Sequence, residues 1–246
     1  VRALAAGEHT GCTRDEREVV TCHGALRATG TVPGTLSVDD RAVCGRSEGR
    51  VVCLEASTRR TEDPTPFVEL LRGPGAPCGR TAGGEVWCFA RPDADEGDAE
   101  LVPLPLPAPA AALGSDGERL LVRGTDGTLL AARPPGHGGG PPTVVARGVR
   151  ALASDGWTLA CWLGEDGLRC AGAGAGAPAP RASTATTLAV AAGTVCAAGP
   201  DGPWCAGVEG SLGDAPVDDL AVGAGFACVR RRSEVTCAGA APPGLP

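Results

Sequence analysis

Twelve cysteines constrain this 246-residue chain more than any other feature, because they recur in pairs at near-constant spacing. The pairs are Cys12/Cys22, Cys44/Cys53, Cys78/Cys88, Cys161/Cys170, Cys196/Cys205 and Cys228/Cys237. Members of a pair stand nine or ten residues apart, and successive pairs follow at roughly 35 residues, the signature of an internal repeat. The interval from Cys78 to Cys161 is double. Inside it, Leu120-Leu121-Val122-Arg123-Gly124-Thr125-Asp126-Gly127-Thr128-Leu129-Leu130-Ala131 repeats the same strand–turn–strand pattern, with Leu121 and Ala131 where cysteines would stand. The chain therefore reads as seven units of about 35 residues in one domain over 1–246, starting near residues 1, 36, 67, 110, 149, 187 and 217.

Each unit opens on an apolar stretch, as in Val1-Arg-Ala-Leu-Ala-Ala-Gly, Val149-Arg-Ala-Leu-Ala-Ser-Asp-Gly and Val217-Asp-Asp-Leu-Ala-Val-Gly. Turn residues separate the paired cysteines: Glu48-Gly49, Gly83-Gly84, Asp166-Gly167 and Pro200-Asp201-Gly202. In a hairpin with a two- or three-residue loop, residues nine or ten apart lie opposite each other. Their Cα atoms are then about 4.5–5.5 Å apart, within disulfide range. On a helix the same spacing turns the pair to different sides. Zinc is the rival reading, but its usual C-x₂₋₄-C knuckles do not occur here; reduced, buried cysteines are a third. Six local disulfides, 12–22, 44–53, 78–88, 161–170, 196–205 and 228–237, are expected. Closing such a loop removes about 2.5–3 kcal/mol of unfolded-state entropy in the chain-entropy model.

Composition explains why crosslinks are needed. Aromatic residues are 3% of the chain, with 4 Trp, 3 Phe, no Tyr and no Met, while Gly reaches 38 and Pro 22. Such a chain has little bulk to bury, and local staples substitute for it. Disulfides persist in oxidising compartments, so a secreted, periplasmic or cell-surface location is expected. No apolar run is long enough to span a bilayer, and any export signal or lipid anchor is expected upstream of Val1. A net charge of −7 offers no basic face for phosphates. The one dense basic run, Arg230-Arg231-Arg232, reads as a solvated turn, and no nucleic-acid partner is expected.

With these residues in view, the chain resembles the regulator of chromosome condensation repeat family. The family pattern is an apolar strand, Ala-x-Gly, a His-Thr-Cys-like strand, Asp-Gly, and then Val-Trp-Cys-Trp-Gly. Here it stands as Ala6-Gly7-Glu8-His9-Thr10-Gly11-Cys12, Glu85-Val86-Trp87-Cys88-Phe89, Pro203-Trp204-Cys205-Ala206-Gly207 and Cys237-Ala238-Gly239. Gly210-Ser211-Leu212-Gly213-Asp214 matches the glycine-flanked signature that follows. The resemblance implies an all-β, seven-bladed β-propeller with stapled hairpins, and the paired cysteines look like the exported bacterial branch. It also implies a structural hydrogen bond for His9.

Strands of four to six residues dominate, without sustained helical periodicity. Residues 91–110 run acidic and then Leu-Pro-rich, residues 133–143 are Pro/Gly-rich, and residues 171–183 are Gly/Ala/Pro-rich. Asp93, Asp95, Asp98 and Glu100 place oxygen ligands faintly like a calcium loop; the competing reading is a solvated acidic loop. His23 and His137 are scattered. No nucleophile elbow, phosphate loop or zinc-protease motif occurs. Asp126, Asp166 and Asp201 each precede glycine in a turn, which accounts for them. No cofactor is expected.

The leading functional reading is a non-catalytic scaffold that binds another protein or a surface glycan through its inter-blade loops. It would be a subunit of an envelope or extracellular assembly. A secreted protein inhibitor or an adhesin module stands beside it. An enzyme with a channel-mouth site is the reading from another class, and nucleotide exchange on a small GTPase conflicts with the cysteine usage. Pro242, Pro243 and Pro246 cannot donate to a ladder, so closure is expected to rest on packing between the first and seventh units. The unit around Leu121 and Ala131, without a staple, is expected to be the least protected.

Overall fold

The computed structural model describes the chain apart from residues 1–2, 7–8, 33–34, 39–41, 48–49, 56–59, 64–66, 73–76, 91–99, 135–139, 157, 174–183 and 243–246. Parts of 35–77, 89–90 and 100–101 are described by backbone alone. The described residues contain no α-helix; their strands form antiparallel sheets in which each strand pairs with the one before it.

The first sheet contains β1 (Ala3–Ala6), β2 (Thr10–Arg14), β3 (Val19–Gly24) and β4 (Thr29–Thr31). The second contains β5 (Thr35–Val38), β6 (Ala42–Ser47), β7 (Arg50–Glu55) and β8 (Arg60–Asp63). Next come β9 (Phe67–Arg72), β10 (Pro77–Thr81), β11 (Val86–Ala90) and β12 (Glu100–Leu104), then β13 (Ala110–Ser115), β14 (Leu120–Gly124), β15 (Leu129–Ala132) and β16 (Thr143–Ala146). Three sheets have three described strands each. They are β17 (Ala151–Ser154), β18 (Leu159–Gly164) and β19 (Gly167–Gly172); β20 (Thr187–Ala191), β21 (Thr194–Gly199) and β22 (Gly202–Ala206); and β23 (Asp219–Gly223), β24 (Phe226–Arg231) and β25 (Glu234–Gly239).

The chain divides into two compact units, Val1–Thr65 with Thr184–Pro246, and Pro66–Ser183. In the first unit the opening strands of successive sheets lie together: β1 against β5 and β23, and β20 against β23. In the second, β13 lies between β9 and β17.

Turn chemistry sets the hairpin register. Between β14 and β15, Gly124 N–H donates to Thr128 O at 2.8 Å, and Gly127 takes φ +76° to complete a three-residue loop. That register puts Leu121 directly opposite Ala131. The same logic sets Cys12 opposite Cys22, Cys78 opposite Cys88 and Cys161 opposite Cys170. It also pairs Cys196 with Cys205 and Cys228 with Cys237. Each of these five pairs is a disulfide, with Cα atoms 4.0–4.1 Å apart. Cys44 and Cys53 also stand opposite in the backbone register, but their side chains lie outside the described residues.

For three of the pairs, the face that carries the disulfide packs on the following sheet of the same unit. Cys12 and Cys22 lie with Val43 and Leu54; Cys78 and Cys88 with Leu113, Leu120 and Val122; Cys196 with Leu220 and Val222. Leu121 and Ala131 hold the equivalent place, packed on Val149 and Ala160. Each fully buried Leu or Val contributes about 1.5–3 kcal/mol. The hairpin without a disulfide is the best covered: all four residues of β15 are buried, whereas β19, β22 and β25 are half-exposed along much of their length. Apolar bulk on both faces holds the arm that a crosslink holds elsewhere, so the packing runs opposite to the low protection expected there.

Candidate functional site

Several described carboxylates serve turns. Asp126 sits at the β14–β15 turn, where its Oδ1 accepts Thr128 N–H at 2.9 Å and its Oδ2 accepts the Thr128 hydroxyl at 3.0 Å. These bonds favour the charged form and hold the Asp126 carboxyl below the usual carboxylate value. Asp116 has a side chain only 4% exposed. It accepts the N–H groups of Glu118 and Arg119 at 3.1 and 2.7 Å, and the Arg119 guanidinium at 2.7 and 3.0 Å. Asp15 accepts Arg17 and Val19 N–H at 2.8 and 2.9 Å. Asp201, expected to serve its own turn, instead accepts the hydroxyl of Thr184, 17 residues earlier, at 2.8 Å. Asp166 tops the β18–β19 turn. Asp15, Asp116 and Asp126, committed in this way, hold backbone shape.

Two carboxylates do something else. Glu69 of β9 takes the Arg80 guanidinium at 2.9 Å on one oxygen and Leu113 N–H of β13 at 3.1 Å on the other. Asp219 of β23 takes Leu4 N–H of β1 at 3.0 Å, with Arg230 3.8 Å away. Both reach from one sheet to the next within their own unit.

The basic run is more than a solvated turn. Arg231 reaches back 16–19 residues and donates to Leu212 O at 2.8 Å and Ala215 O at 3.0 Å, pinning the segment after β22. Arg230 is flanked by Asp218 and Asp219, each 3.8 Å away, and Arg232 N–H donates to Asp218. Only the Arg232 side chain projects fully into solvent. Sequence reasoning missed the clamp because its acceptors are carbonyls, which carry no residue-type signal.

One open cleft of about 290 Å³ lies beside the β10–β11 turn, lined by Gly83, Gly84, Val86, Leu104, Leu106 and Pro109 among others. Gly84 is needed there. It adopts φ +84°, and a Cβ would meet Pro109 Cβ at 2.7 Å and Ala110 N at 2.9 Å. Ala110 N–H donates to Gly84 O at 2.8 Å, tying the turn to the connection that follows β12. From the end of β12 into that connection, Pro103, Pro105, Pro107 and Pro109 are exposed, while Leu104 is buried and Leu106 and Ala108 are half-buried. A residue before proline is restricted to extended backbone, so the stretch is stiff and presents apolar rings.

Of the other residues singled out in the sequence, Asp93, Asp95, Asp98 and His137 lie outside the described residues, and Glu100 opens β12 by backbone alone. Among the described residues no three His, Cys, Asp or Glu side chains converge as a metal site. His9 is exposed and its carbonyl accepts Ala25 N–H at 3.0 Å; His23 is half-buried in β3. No helix among the described residues is long and apolar enough to cross a membrane.

No family model matches the chain, and no curated protein matches it in sequence. Solved structures do match in fold. The entire ectodomain of the receptor kinase CR4 from Physcomitrella patens superposes with a TM-score of 0.61 at 18% identity, over 96% of this chain and 72% of that one. Yeast RCC1 (Prp20), in its complex with Kap60, gives 0.63 at 12% identity, over 96% and 79%. The WD40 domain of Neurospora crassa Pan2 gives 0.59 at 11% identity, over 100% and 90%. In fold the chain is similar to these all-β propellers.

Proposed function

We propose that residues 1–246 form one seven-bladed propeller, exported and disulfide-stapled. In this reading it works without catalysis as a scaffold for another protein or a surface glycan, in a bacterial envelope or extracellular assembly. The observation that carries the reading is the contrast between uniform hairpins and variable connections. Five disulfides sit at one repeated position, while the connections range from the proline row at 103–109 to the Arg231-pinned segment at 212–215. Rigid sheets that hold unlike loops are suited to recognition. Disulfides in this number favour an oxidising compartment. The CR4 match is itself an ectodomain, which supports the same compartment. The sixth bond, Cys44–Cys53, belongs to the same proposal.

The test is capture of partners from an envelope fraction by the oxidised protein, beside a variant with residues 105–109 replaced by Gly and Ser. One protein retained by the parent and lost by an equally stable variant supports the reading. Equal capture by both, or capture only after reduction, overturns it. Non-reducing peptide mapping checks both the pairing and the compartment: a bond between different hairpins overturns the local staples, and free thiols throughout speak against export.

A further inference from the structure

We propose that Asp219 and Arg230 latch β1 onto the sheet of β23, β24 and β25, and that Glu69 and Arg80 repeat the device between β9 and β13. The two sites coincide in register. Glu69 stands opposite Arg80 in the β9–β10 ladder, and Asp219 stands opposite Arg230 in the β23–β24 ladder. Each arginine lies two residues beyond a bonded cysteine, Cys78 or Cys228, and so on the same face of its strand.

Each carboxylate then accepts a backbone N–H from the opening strand of another sheet: Leu113 at 3.1 Å and Leu4 at 3.0 Å. A carboxylate with an arginine beside it is a stronger acceptor than a neutral group, and an amide left without its acceptor is costly when water is partly excluded. Asp219 is further held by accepting Leu220 N–H at 3.0 Å.

Other neighbouring sheets are joined by hydroxyls. Ser154 Oγ accepts Ser115 N–H at 3.0 Å and donates to Ser115 O at 2.9 Å, and Thr194 Oγ1 accepts Gly225 N–H at 2.9 Å. The bond from Leu4 to Asp219 differs in spanning 215 residues of sequence. β1 and β23 come together without a short connecting loop, and the Asp219 side chain bonds one to the other. The inference does not depend on what the protein binds.

Amide exchange read residue by residue tests it. In Asp219→Ala, Leu4 N–H should exchange at least about tenfold faster than in the parent, with Leu113 N–H unchanged. In Glu69→Ala the two amides should swap roles. Asp219→Asn keeps an acceptor oxygen but loses the charge, so Leu4 N–H should exchange at a rate between those of the parent and Asp219→Ala. Unchanged exchange at Leu4 in Asp219→Ala overturns the latch, as does equal acceleration at Leu4 and Leu113, which would report general loosening. Should Asp219→Ala not fold, Arg230→Met keeps the acceptor and removes its countercharge. Faster exchange at Leu4 alone then supports the latch, and no change overturns it.

Discussion

The hairpins β14–β15 and β18–β19 stand side by side in one unit and solve one problem in two ways. β18–β19 carries Cys161–Cys170, and its outer arm is exposed enough that Cys170 is only half-buried. β14–β15 has no disulfide, and there Leu121 is 0% and Ala131 3% exposed, with β16 covering the outer edge. At β14–β15 apolar side chains and a fourth strand bury the arm without a crosslink; at β18–β19 a crosslink ties a more exposed arm to its partner. In the four-stranded sheets of β2–β3 and β10–β11, buried disulfides and a fourth strand occur together. Between β14–β15 and β18–β19, packing holds at one the register that a covalent bond holds at the other.

Reduction should break the comparison most visibly. With the disulfides reduced, each bond forfeits on the order of 2–5 kcal/mol. Amides of β19 and β22 should lose exchange protection well before those of β15, whose restraint is unaffected by redox state. Simultaneous loss at β15 and β19 would show that the two hairpins do not differ as described.

Next in size is Leu121→Ala. Leu121 is fully buried between its own sheet and Val149 and Ala160, so truncation leaves a cavity costing about 2.5–5 kcal/mol. Chemical denaturation should show this as a lower midpoint with little change in slope. A cost below about 1 kcal/mol would mean that the site collapses freely.

Replacing the pair by cysteines sharpens the equivalence. Leu121→Cys with Ala131→Cys should oxidise readily, because the two positions are already opposite. The crosslink gains about 3 kcal/mol at most and the lost leucine packing offsets it, so net stability should move by only about 1 kcal/mol. Non-reducing mass analysis and parallel melts check both halves.

The smallest effect concerns the turn that sets this register. The Asp126 carboxyl is held low by its bonds to Thr128, so its stabilisation is present above the unfolded value of 3.8 and fades as pH falls through the lower folded value. Asp126→Ala should melt slightly below the parent at neutral pH, and the two curves should converge in strong acid. A gap that persists or widens in acid would show that the carboxylate charge is not what braces the turn.

Much of this was legible in the chain because it is local. Two- and three-residue turn loops set which residues face each other across a hairpin, and the cysteines nine or ten apart fall into that register without help from distant segments. Leu121 and Ala131 could be placed in the same way. The side on which a hairpin is buried, and how deeply, could not be read, since burial of β15 depends on β16 and on the neighbouring sheet.

What the sequence determined by itself is therefore the repeat, the all-β hairpins and the positions where crosslinks can form, all set by turn stereochemistry over about ten residues. Tertiary structure alone decided that Asp219 receives Leu4 N–H from 215 residues away. It also decided that Arg231 spends its donors on the carbonyls of Leu212 and Ala215, and that Glu69 serves Leu113 in the following sheet. Each of these partners is a backbone group, and every residue offers the same N–H and C=O apart from proline's missing donor. Which one a side chain meets is set by where the sheets come to lie.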